Sequence, residues 1–110
     1  MSGICQNIGA NYLHVLQPNQ YYGSKPFSPK EKKQFINLGS IQDRVVRQTY
    51  PKMQKTKEWF LQNRVNFVDM TDAFHDVTET CYEDEVCHLD AIGDRNLSTK
   101  LIPKILEALK

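Results

Sequence analysis

Apolar positions fall into two short runs and several longer periodic stretches. Asn11 to Leu16 (Asn-Tyr-Leu-His-Val-Leu) is aromatic and β-branched and is stopped by Pro18, which predicts a buried strand. Val65 to Met70 (Val-Asn-Phe-Val-Asp-Met) predicts a second. Between them, Ser28-Pro29-Lys30-Glu31 is a helix start. Ser28 caps, Pro29 suits the first helical position and Glu31 completes a capping box. This helix is expected to end near Gly39. Ser40 with Asp43 starts another, with Ile41, Val45, Thr49 and Met53 as an apolar stripe at four-residue steps. Tyr50-Pro51 is expected to kink or split it, because proline removes a backbone donor and restricts the residue before it. Helix resumes through Trp59, Phe60 and Leu61 to about Asn63, with Trp59 and Phe60 assigned to the core. A last helix is predicted from about Asp90, its cap, to Ala108. Leu97, Leu101, Ile102, Ile105, Leu106 and Leu109 form its buried stripe, and Pro103 within it predicts a kink.

Residues 1–8 are too short and mixed to assign. Gln17 to Pro29 is a polar loop with three prolines and no periodicity, and a long loop follows the second strand from Thr71 to Val86. Strand, helices, strand, helix is the order of an α/β sheet with crossovers. The two strands are expected to lie parallel, adjacent or one strand apart. Two strands make no stable open sheet by themselves, and the chain opens as if in mid-fold.

A length of 110 residues fits one small domain. Net charge is +1, so the chain as a whole makes no case for a nucleic-acid or membrane partner. The distribution is uneven. Residues 25–64 hold ten Lys/Arg against three Asp/Glu, while residues 65–99 hold nine Asp/Glu against one Arg. A basic helical region packed near an acidic loop region accounts for this; a phosphate-binding surface is the sharper alternative. Cys5, Cys81 and Cys87 are too few for a disulfide scaffold, and whether Cys81 pairs with Cys87 stays open. No apolar run approaches the length of a membrane span. The N-terminus has neither the basic start nor the long apolar core of a signal peptide, and the compartment stays unassigned.

The candidate chemistry lies between Tyr82 and Ile102. Asp84 stands four residues before His88, and Glu85 three. A catalytic imidazole needs a carboxylate on its far nitrogen to fix its tautomer and to stabilise the imidazolium. On one helical turn, either acid shares a face with His88. His75, Cys81, Cys87 and His88 are the residue types zinc favours, but they lack the paired spacing of two to four residues. No metal is assigned.

Three segments together point to a family. The first is Tyr12-Leu13-His14-Val15-Leu16-Gln17-Pro18-Asn19-Gln20-Tyr21 with Gly23-Ser24-Lys25-Pro26. The second is Phe67-Val68-Asp69-Met70-Thr71-Asp72-Ala73-Phe74. The third is Tyr82-Glu83-Asp84-Glu85-Val86-Cys87-His88-Leu89 with Gly93-Asp94. In order and spacing they resemble the C-terminal half of an SGNH (GDSL-type) hydrolase, over nearly all 110 residues. The resemblance implies a doubly wound, flavodoxin-like three-layer α/β/α sandwich, here truncated at its N-terminus. It implies a serine ester hydrolase with a Ser-His-Asp triad, acting on a small-molecule or carbohydrate ester without a cofactor.

By position, His88 is then the general base and Asp84 its orienting acid. Glu85 is the alternate acid, since the family often places that residue three before the histidine. Gln17, Asn19 and Tyr21 border the substrate, because ligands in such sheets collect beyond the carboxyl ends of the strands. Asp94 stands where the family commonly has Asn. The family's Gly-Asp-Ser nucleophile block is absent: Ser2, Ser24, Ser28, Ser40 and Ser98 all lie outside a strand-to-turn context. The glycine and asparagine blocks of its oxyanion hole are missing too. Met1 is therefore expected to be an internal or truncated start. The isolated chain is expected to be inactive and prone to self-association. The alternative is a non-catalytic structural or interaction fragment that uses the basic helices 30–64.

Overall fold

Leu13–Leu16 and Asn66–Asp69 are the two strands, β1 and β2, of the computed structural model, which describes residues 1–110. They pair in parallel, with His14 opposite Phe67 and Val15 opposite Val68. Helices fill the crossover between them: α2 (Pro29–Gln34), α3 (Ile41–Lys55) and α4 (Lys57–Gln62). A short helix α1 (Ser2–Asn7) precedes β1, in the stretch left unassigned above, and α5 (Ala91–Ala108) follows the long loop after β2. The protein is a mixed α/β chain built on a two-stranded parallel sheet.

Side chains alternate across a strand, so each face of the sheet has its own core. His14, Leu16 and Phe67 face α3 and α4. Leu16, Tyr50 and Phe67 are buried together there, with Val46 and Phe60 against them. The His14 ring stacks on Phe60 and Phe67 at centroid distances of 4.8 and 5.4 Å. Val15 and Val68 face the opposite way, onto Met70, Ala73, Phe74, Val77, Cys81 and Tyr82, with Leu97 and Leu101 of α5 closing that side.

The helix starts are those expected. Ser28 accepts from the Glu31 amide while Glu31 accepts from the Ser28 amide, a complete capping box. Ser40 caps α3 and Asp90 caps α5. The first turn of α5 lies so close to the 81–89 loop that a Cβ on Gly93 would stand 2.3 Å from the Cys81 carbonyl oxygen. Gly93 is there for that approach.

Several expectations need correction. Helix α2 stops at Gln34, well short of Gly39. The chain beyond it is drawn into tertiary bonds: Gln20 donates to the Phe35 carbonyl, and the Asn37 amide donates to the Tyr21 hydroxyl. Pro51 does not split α3, which runs on to Lys55. The carbonyl that Pro51 leaves without a donor belongs to exposed Arg47, where water can serve. The predicted stripe Ile41, Val45, Met53 is exposed, and Asp43, Val46, Tyr50 and Gln54 face inward instead. Polar anchors decide this. Asp43 accepts from the Gly39 amide and pairs with Arg47, and Gln54 donates to Asp69 at 2.7 Å. Trp59 is 58% exposed and lies outside the core, whereas Phe60 is half-buried.

In α5 only Leu97 and Leu101 of the predicted stripe pack inward. Ile102, Ile105, Leu106 and Leu109 are exposed. Lengths explain it. A four-residue strand spans ~13 Å at about 3.3 Å per residue, whereas an 18-residue helix spans ~27 Å. The C-terminal half of α5 outruns the sheet that would cover it.

Candidate active site

The loop from Cys81 to Asp90 closes on itself. Tyr82 and Leu89 form an antiparallel bridge, the Glu83 amide donates to the His88 carbonyl at 3.0 Å, and the Asp90 amide donates to the Cys81 carbonyl at 2.8 Å. Asp84 and His88 meet across this closed loop rather than on a helical turn. One Asp84 oxygen, Oδ1, accepts from the Val86 amide at 2.7 Å and from the His88 amide at 3.3 Å. The other, Oδ2, is paired with His88 Nδ1. One carboxylate thus shapes the turn and orients the ring.

Glu85 does not compete. Its Oε2 accepts from Asn37 Nδ2 at 3.2 Å, away from the imidazole. With Nδ1 engaged, His88 Nε2 has no hydrogen bond within the chain, and the side chain is 66% exposed. Burial pushes the Asp84 carboxyl up, but hydrogen bonds from His88, Val86 and the His88 amide outweigh it and hold it below the usual carboxylate range. The hydrogen bond to Asp84, and then its charge, raise His88 above the ordinary imidazole value. Ionised carboxylate facing imidazole is the pairing a general base requires.

Two buried anchors fix this loop to the rest of the fold. Glu31 is fully buried; its Oε2 accepts from the Cys81 amide at 3.1 Å, and its Oε1 pairs with Lys25 Nζ at 2.8 Å. Lys25 also donates to the Val77 and Glu79 carbonyls. Burial acts to raise the Glu31 carboxyl, and the bonds from Lys25, Ser28 and Cys81 bring it below its usual range instead. Gln20 is the second anchor. Its Nε2 donates to the Asp84 carbonyl at 2.8 Å, while its buried Oε1 has no partner. Sequence reasoning passed over Gln20, because a glutamine in a polar loop carries no periodic or motif signal.

The structure brings Gln17, Asn19 and Tyr21 to the same place in different ways. Gln17 Nε2 lies 3.5 Å from Cys87 Sγ. Asn19 Oδ1 accepts from the Tyr21 amide at 2.9 Å, a local turn, and Tyr21 is buried with its hydroxyl taken by Asn37. Asn19 and Tyr21 nonetheless edge a groove of about 390 Å³, whose apolar walls are Ile41, Val45 and Val46 of α3 and Val86 and Cys87 of the dyad loop. The loops leaving the carboxyl ends of β1 and β2 therefore converge on the Asp84–His88 pair.

His75, Cys81, Cys87 and His88 do not gather into a metal site, for no three His, Cys, Asp or Glu side chains converge. All three cysteines are free thiols, and burial pushes the Cys81 thiol up to about 11. No helix is long and apolar enough to cross a membrane.

The fold and site together define a mixed α/β protein with an exposed carboxylate–imidazole pair on a loop beyond two parallel strands. Compared with protein-family models and with curated proteins, the chain matches none.

Proposed function

We propose that these residues form the C-terminal part of an SGNH-type serine ester hydrolase with a doubly wound, three-layer α/β/α architecture, and carry the Asp–His part of its triad. The observation that carries the reading is the Asp84–His88 pair, with Nδ1 held and Nε2 open. The two-sided cores of the parallel sheet support the layered architecture. So does the position of the pair beyond the strands' carboxyl ends, where such sheets bind ligands.

In this reading a serine supplied from outside these 110 residues attacks the ester carbonyl. His88 Nε2 takes the serine proton as the new C–O bond forms, and Asp84 stabilises the resulting imidazolium. When the tetrahedral intermediate collapses, His88 returns that proton to the departing alcohol. Water then repeats the sequence on the acyl-serine, releasing the acid. The chain by itself lacks the nucleophile and the oxyanion donors that such chemistry needs.

The test is hydrolysis of p-nitrophenyl acetate by the native gene product, compared with His88→Ala, Asp84→Asn and Glu85→Gln. Triad members act as a unit, so His88→Ala and Asp84→Asn are expected to lower turnover by orders of magnitude and Glu85→Gln to leave it nearly intact. A wild-type rate in His88→Ala removes the reading.

A further inference from the structure

The apolar groove walled by Val86 and Cys87, the two residues before His88, is unexplained by the fold. Ile41 and Val45 are 68% and 50% exposed on a helix whose other exposed positions include Arg44, Gln48, Lys52 and Lys55. They face Val86 and Cys87 across a space of about 390 Å³, a volume within the range of small-molecule pockets. No charged side chain lines it; Asn19 and Gln42 are its polar residues.

Its far wall is part of the dyad loop. Val86 and Cys87 immediately precede His88, and the carboxylate that orients the imidazole also holds the Val86 amide. Cys87 is held at φ 84°, a left-handed conformation that a non-glycine residue rarely adopts. The backbone is thus constrained at the groove wall that leads into His88. A chain seated against Cys87 lies one residue from His88 along the backbone.

We infer that this groove is the acyl subsite of the proposed hydrolase and takes the uncharged alkyl chain of a short-to-medium carboxylic ester. The inference rests on the hydrolase reading for its occupant. The uncharged walls disfavour phosphate and carboxylate groups, and the small volume favours a single chain over a macromolecule. Ile41, Val45 and Val86 then set the chain-length preference.

Cys87 provides a readout that needs no turnover. The rate of its alkylation by iodoacetamide, resolved by peptide mass spectrometry, is followed in the purified chain with methyl acetate, methyl butanoate or methyl hexanoate. Cys81, fully buried, serves as the internal control. Each added methylene is worth about fourfold in affinity if it enters the groove, so protection of Cys87 is expected to strengthen roughly sixteenfold at each two-carbon step. Val45→Asp places a charge on the wall at an exposed helical position and is expected to abolish the protection, and Val45→Leu to retain it. The His88 titration, followed by NMR, is expected to be unchanged in Val45→Leu and to stay above the ordinary imidazole value in Val45→Asp.

Protection independent of chain length, or undiminished in Val45→Asp, overturns the subsite. Protection that grows with protein concentration alone, and is lost in Val45→Asp, assigns the groove to a second copy of the chain and also overturns it. Failure of the hydrolase reading is a separate result. Chain-length-dependent protection beside a wild-type hydrolysis rate in His88→Ala keeps the alkyl-binding groove and removes the triad role of His88.

Discussion

Gln20 and Asp84 are 64 residues apart in the chain, and the side-chain amide of the first donates to the main-chain carbonyl of the second at 2.8 Å. This bond ties the loop after β1 to the turn that aims His88. The turn's own bonds hold Asp84 and His88 together, and the anchors at Gln20 and Glu31 fix that turn to the rest of the fold.

The Asp84–His88 pair makes a titration prediction. In an NMR titration of the chain, His88 is expected above the ordinary imidazole value near ~6.5, because Asp84 stabilises its charged form. Asp84→Asn is expected to bring it down toward that value, and Glu85→Gln to leave it in place. The contribution of His88 to stability is full below ~6.5 and is lost as pH rises through its raised folded value. That of Asp84 is present above the ordinary carboxylate value and is lost as pH falls through its lowered folded value. In the proposed hydrolase the base must be neutral, so activity is expected to rise with pH through the His88 titration.

Removing the Gln20 amide leaves the Asp84 carbonyl unpaired, at about 1–3 kcal/mol. It also removes the unpartnered Oε1, which acts in the opposite sense. For Gln20→Met a net loss near 1 kcal/mol is expected in denaturant unfolding, with His88 titrating closer to its ordinary value. An unchanged His88 titration shows that the anchor does not reach the dyad.

Lys25 and Glu31 are a buried pair, with side chains 5% and 0% exposed. Taking away one partner strands a charge, which costs about 3–5 kcal/mol. Lys25→Met is therefore expected to lose that much in urea unfolding at neutral pH. The deficit is expected to shrink in acid, where the stranded Glu31 takes up a proton.

The exposed apolar face of α5 predicts self-association. Ile102 and Leu106 on the helix's C-terminal half and Leu109 at its C-cap are each more than half exposed, and apolar area left in water forfeits about 25 cal/mol per Å². Light scattering is expected to show a concentration-dependent mass, and Leu106→Lys to lower it. A sharp, concentration-independent melt of a monomer counts against the prediction.

Local rules were legible in the chain wherever the deciding interactions were local. The capping box at Ser28 and Glu31, the caps at Ser40 and Asp90, and both strands stand where short-range chemistry placed them. The acid–histidine pair was legible as a pair, because its members are four residues apart. What spacing left open was which carboxylate serves, since Asp84 and Glu85 are both within reach of His88. Asn37, on a distant segment, engages Glu85, and the bridge between Tyr82 and Leu89 shapes the turn that seats Asp84 on the ring. The inward faces of α3 and α5 were likewise beyond periodicity. Periodicity identifies an apolar stripe but not whether anything lies opposite it. Long-range polar anchors turn Asp43 and Gln54 inward, and a sheet only four residues long leaves the end of α5 uncovered.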